Sequence, residues 1–150
     1  MTERHEPRHY AESRPKITLV IHDRDSFGLL KLEWPGVTIK LRLECRHCRV
    51  LIALEFALSA DADIDEEFRG LRTNVQIGDA YARGQGNRFA YTPGPNAIAA
   101  YRAQIQRSIQ KAMPAGIKAP RLIETVRTAG VRLIDHIEIV DLSARRPETD

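Results

Sequence analysis

The chain has 150 residues, 43% of them hydrophobic and 29% charged, a globular balance at a length that suits one domain with its own core. Its longest apolar run, Val50 to Leu54, falls far short of the roughly 18–20 residues of a spanning helix. The charged opening Met1-Thr2-Glu3-Arg4-His5-Glu6 lacks leader character, so a cytoplasmic protein without a membrane partner is expected. The formal charge is +3, and 18 of the 23 cationic residues are arginine; such a balance favours polyanionic partners but leaves the fold open.

In chain order, residues 1–16 are polar and carry Pro7 and Pro15, which predicts a flexible tail. Ile17, Leu19 and Ile21 alternate as one face of a strand, and Gly28 to Trp34 reads as a second. Pro35-Gly36 is strong turn chemistry. Val37 to Cys45 is the clearest strand, with Val37, Ile39, Leu41 and Leu43 facing inward and Thr38, Lys40, Arg42 and Glu44 outward. Residues 49–58 suit either state. The alternation of Val50, Ile52, Leu54 and Phe56 favours a strand closing a hairpin, while Leu, Ala and Glu also suit a helix.

Asp61 to Arg72 opens on carboxylates, as a helix would. Residues 83–88 form a glycine-containing loop. After Pro93-Gly94-Pro95, the recurrence of Ile98, Tyr101, Ile105, Ile109 and Ala112 predicts a helix, ended by Pro114-Ala115-Gly116. A second helix is expected from Pro120 to Ala129 with Gly130 as its C-terminal cap, then a strand over 131–141 broken at Asp135-His136. The fold class that follows is α+β. An antiparallel β-meander over residues 17–58 packs with C-terminal helices and a final strand, in one domain over 17–142 between tails at 1–16 and 143–150.

Two motifs carry chemistry. Cys45-Arg46-His47-Cys48 holds the chain's two cysteines. At a hairpin tip both thiolates could face one tetrahedral ion, so Cys45 and Cys48 are candidate zinc ligands. Completion would need His22 and His136, or the same pair from a second chain across a homodimer axis. The plain alternative is two small apolar residues at a strand end. Arg46, His47 and Arg49 would favour a thiolate, and a strand followed by Cys-x-x-Cys and a helix resembles the thioredoxin arrangement over about twenty residues. That resemblance implies a redox pair, with Thr92-Pro93 in the place of the family's cis-proline, although no Trp precedes Cys45.

Pro120 to Asp141, especially Gly130 to Ile137, resembles the closing helix and strand of RadC-type JAB domains. No His-x-His occurs to hold that family's zinc, so no protease activity is implied. Asp135-His136 is a conceivable oriented base, yet neighbouring strand residues point to opposite faces. No nucleophile elbow or phosphate-cradling glycine motif is present.

The second motif is basic. Lys40, Arg42, Arg46 and Arg49 cluster around the central hairpin, and Arg83 and Arg88 flank the glycine loop ahead of Phe89 and Tyr91. Cations interleaved with aromatics suit nucleic-acid binding by phosphate neutralisation and base stacking. The expectation is therefore a non-enzymatic binding or accessory protein whose basic hairpin contacts nucleic acid or an acidic protein surface, with zinc as the cofactor the Cys pair would take. A small enzyme using Cys45 and Cys48 as a redox or metal centre is the alternative.

Overall fold

The computed structural model describes residues 13–23, 26–84 and 91–142. Strands β1 (Lys16–Asp23), β2 (Phe27–Trp34) and β3 (Val37–Glu44) form an antiparallel meander. Gly36, at φ +77°, supplies the positive φ that the Pro35-Gly36 turn demands. Alternation decides the faces: β2 buries Gly28, Leu30, Leu32 and Trp34 and leaves Leu29, Lys31 and Glu33 half-exposed. Residues 13–16, expected in a tail, take part in the packing. Trp34 Nε1 donates to the Ser13 carbonyl (3.1 Å), and Arg14 pairs with Asp135 (2.6 Å).

The expected α+β class and meander stand, but the fourth segment is not a strand. β3 runs without a loop into helix α1 (Cys45–Ala60). Its buried residues, among them His47, Cys48, Leu51, Leu54 and Leu58, follow the helical period, while Ile52 and Phe56 lie exposed. Glu44 makes no side-chain cap; instead the Cys45 N–H donates to the Ser26 carbonyl (3.1 Å). A free amide of the first turn is thus satisfied from the β1–β2 connection rather than by a local capping residue.

The acidic segment after α1 is no helix either. It holds one 3₁₀ turn, Glu66–Phe68, and Asp61 closes α1. Helix α2 (Asn74–Gly84) starts instead at a capping box. Gln76 N–H donates to Thr73 Oγ1 (3.1 Å) and Thr73 N–H to Gln76 Oε1 (2.8 Å). Helix α3 (Pro95–Ala112) matches expectation, with Pro at its start and Ile98, Ile105 and Ile109 fully buried.

No second helix follows. Residues 120–133 form a hairpin of β4 (Ile123–Val126) and β5 (Gly130–Leu133), so the helix–glycine–strand unit behind the JAB-like reading is absent. Two α3 glutamines hold the approach to it extended. Gln110 donates to the Ile117 carbonyl and accepts from Ala119 N–H (2.8 and 2.9 Å), and Gln106 donates to the Pro120 carbonyl and accepts from Leu122 N–H (2.8 and 3.3 Å). Gly130 is no helix cap. It sits at φ +134°, where an added Cβ would fall 2.6 Å from the Arg72 carbonyl oxygen. That close approach lets Arg72 and Val131 exchange both backbone hydrogen bonds (3.0 and 2.8 Å).

Strand β6 (Glu138–Asp141) returns to pair parallel with β1, giving the order β3-β2-β1-β6. One apolar cluster joins Leu19, Leu30, Leu32 and Leu43 of the sheet to Leu51 and Leu54 of α1. It continues through Ile77 of α2, Ile105 of α3 and Leu133 of the hairpin. Among the described residues no helix is long and apolar enough to cross a membrane.

Candidate functional site

Cys45 and Cys48 occupy the first turn of α1, not a hairpin tip. Cys48 is 3% exposed and its thiol points at the Leu43 carbonyl (3.7 Å). Burial first, and the neighbouring Cys45 second, push that thiol up to about 12, away from the thiolate that a zinc ligand or nucleophile requires. The opposed Gly28 has room for no side chain, since a Cβ there would lie 2.8 Å from Cys48 Sγ. Such packing supports the reading of Cys48 as a small core residue. Among the described residues, no group of three or more His, Cys, Asp or Glu could hold a metal ion. The strand–Cys-x-x-Cys–helix order of the thioredoxin-like reading is present, but the Thr92–Pro93 peptide is trans.

The basic residues singled out from the sequence separate into two sets. Lys40 and Arg42 lie on the exposed face of β3, with Arg42 stacked 4.3 Å from the Phe27 ring centroid. Arg46 and Arg49 belong to α1. Arg46 pairs with Glu44 and sits 5.8 Å from the Tyr101 ring, and Arg49 sits 6.0 Å from the Tyr81 ring. Around them Tyr81 stacks on Tyr101 (6.3 Å) and meets Tyr91 edge-on (6.4 Å), while buried His47 donates from Nε2 to Gln104 Oε1 (2.8 Å). Burial holds Tyr81 up to about 12 and raises Tyr101 as well, so these phenols are neutral packing groups. Arg83 is exposed at the end of α2, and Arg88 lies outside the described residues.

Sequence reasoning missed a third basic group. Helix α3 contains no Asp or Glu in its 18 residues, but does contain Arg102, Arg107 and Lys111. Beside it, against the hairpin, lies a cleft of about 410 Å³ lined by Arg102, Arg107 and Arg121 with Gln106, Gln110 and Thr125. Among the described residues, no carboxylate lines it. The two glutamine side chains are engaged by the 117–122 backbone, which leaves the cleft rich in donors and poor in acceptors. Arg102 Nη1 reaches Thr125 Oγ1 (3.4 Å), while its Nε is buried without an acceptor. Burial lowers the Arg102 pKa, as expected of a cation deprived of both water and counter-charge. The legible signal was negative: an amphipathic helix without a single acid.

Asp135, His136 and Glu55 serve the framework. Asp135 pairs with Arg14 and His136 Nδ1 with Glu55 (2.8 Å), so the adjacent Asp and His do engage different neighbours. Glu55 also accepts from Ile137 N–H (2.7 Å), which ties α1 to the segment entering β6. Compared with known protein families, curated proteins and solved structures, the chain matches none of them.

Proposed function

We propose that the protein is a non-enzymatic nucleic-acid-binding module that presents helix α3 to a duplex, with the β4–β5 hairpin alongside. The observation that carries this reading is the acid-free α3 beside an arginine-lined cleft. Its outward positions include Asn96, Ala100, Ala103 and Arg107, all exposed. Small alanines let a helix backbone approach base edges, and Asn96 supplies a hydrogen-bonding group there. Three packed helices with the last one exposed resemble the general helix-turn-helix mode, in which that helix enters a major groove about 12 Å wide. The α2–α3 connection, residues 85–94, is longer than the usual turn of about three or four residues.

In this reading Arg102, Arg107 and Arg121 contact phosphates, and Arg127 at the hairpin tip adds a further exposed cation. Lys40 and Arg42 on β3 are secondary. Fluorescence anisotropy with labelled duplex and single-stranded oligonucleotides tests it. Duplex binding at low salt should weaken steeply as salt rises, by a log–log slope of about −0.9 per phosphate contacted. Arg107→Glu should abolish it, whereas Lys40→Glu with Arg42→Glu should reduce it modestly. No duplex binding at low salt would remove the proposal; loss only in the Lys40/Arg42 variant would return the site to the β3 surface.

A further inference from the structure

Among the described residues, no carboxylate neutralises the α3–hairpin cleft. Among the described residues, Arg102, Arg107 and Arg121 form no ion pair, unlike Arg14, Arg46, Arg72 and Arg132. Arg102 is the telling member. Arg102 is half-buried, its Nε is shut off from water without an acceptor, and its one side-chain hydrogen bond among the described residues is the long one to Thr125. A partly desolvated cation left unpaired raises the free energy of the empty protein, and an anion brought beside it offsets that cost. The engaged glutamines remove competing acceptors. What remains is an opening rich in donors, with guanidinium groups on its walls and Ala99, Ala103 and Ile123 completing the lining.

We infer that this cleft is a seat for a phosphate-class anion: a phosphoryl group held by Arg102, Arg107 and Arg121, with the Thr125 hydroxyl at its edge. Guanidinium groups match tetrahedral phosphoryl oxygens in pairs, and do so better than ammonium groups. The inference deepens the nucleic-acid reading if the phosphoryl group belongs to a backbone diester, and it stands apart from that reading if the group is free phosphate or a phosphomonoester.

The test uses the full chain and inorganic phosphate, titrated against chloride at constant ionic strength. The readout is the arginine Nε–Hε resonances, together with the melting temperature. The expected result is a saturable shift of the Arg102 and Arg107 signals and a higher melting temperature in phosphate than in chloride. Arg107→Gln should weaken phosphate about tenfold, as loss of one charge-assisted fork implies. Arg102→Gln should do the same, and Arg102→Lys, which keeps the charge and most of the stem, guards against a folding defect. Lys31→Gln, on β2, should bind as the parent does.

A labelled duplex then distinguishes the sources. Displacement by phosphate beyond that by chloride places a backbone diester in the seat. Phosphate binding with the duplex undisturbed, or with no duplex binding at all, assigns the seat to a free phosphoryl ligand. In the last case the proposed function fails and the seat survives. Shifts that do not saturate, or that persist unchanged in both glutamine variants, overturn the inference.

Discussion

Two arginine-bearing regions on either side of the β4–β5 hairpin make an instructive comparison. At the joint between α1 and β5, Arg72 grips Asp61 with both Nη atoms (2.8 and 3.0 Å). Arg132 pairs with Glu124 (2.7 Å) and donates to the carbonyls of Glu66, Glu67 and Arg69. In the α3 cleft, Arg102, Arg107 and Arg121 face no acid among the described residues. The residue type is the same, but the first set is matched to carboxylates and backbone acceptors and so holds the fold. The second set meets no such partner among the described residues, and it is the set on which the proposed function rests. Placement relative to acids, rather than arginine content, separates architecture from function.

Substitutions break the comparison at the joint first. Gly130→Ala should be the most damaging, costing about 3 kcal/mol, because it combines a positive φ with a Cβ pressed against the Arg72 backbone. Chemical denaturation reads it directly, and an unchanged midpoint would show that the joint yields. Asp61→Asn should cost about 2 kcal/mol, since a charged bidentate acceptor that also takes the Gly70 N–H (2.9 Å) is replaced by a neutral amide.

The same pair sets a pH dependence. The hydrogen-bonded Arg72 guanidinium holds Asp61 below its ordinary 3.8. A depressed folded value means the stabilisation is complete above that ordinary value and is lost as pH falls through the folded one. Acid titration of the parent and of Asp61→Asn should therefore converge at low pH; parallel curves would deny the linkage.

A smaller effect lies at the hairpin tip. Thr128 is the one non-glycine residue with positive φ (+65°) among those described. Thr128→Gly should stabilise the protein by about 1 kcal/mol by relieving the left-handed conformation. A lowered melting temperature would mean the Thr128 hydroxyl, donating to the Arg127 carbonyl (2.5 Å), matters more than the strain. Smallest of all on stability, Arg107→Gln should stay within about 0.5 kcal/mol, because the side chain is exposed. That indifference, set beside its loss of anion binding, is the sharpest form of the contrast.

The meander of β1, β2 and β3 was largely legible. Alternation over 37–44 and the Pro35-Gly36 turn specify a strand and its hairpin through local sterics and burial of one face. The 98/105/109 stripe likewise specifies α3. The start of α2 is legible as well, in the capping box Thr73-Asn74-Val75-Gln76, whereas the acids at 61–67 open no α-helix.

Other features were decided only by the tertiary structure. The segment 45–60 alternates like a strand, and its helix begins on a carbonyl from the β1–β2 connection that no local pattern announces. Residues 120–133 carry Pro and Gly where a helix would, yet two glutamines of α3 hold the chain extended and the Arg72 backbone claims Gly130. The candidate site belongs to the same class. Sequence by itself determined that the protein is arginine-rich and that α3 lacks acids, because composition and helical period are local properties. Which arginines meet a carboxylate depends on which strands and helices lie side by side, and a cation's partner is fixed by distance in space rather than by distance along the chain.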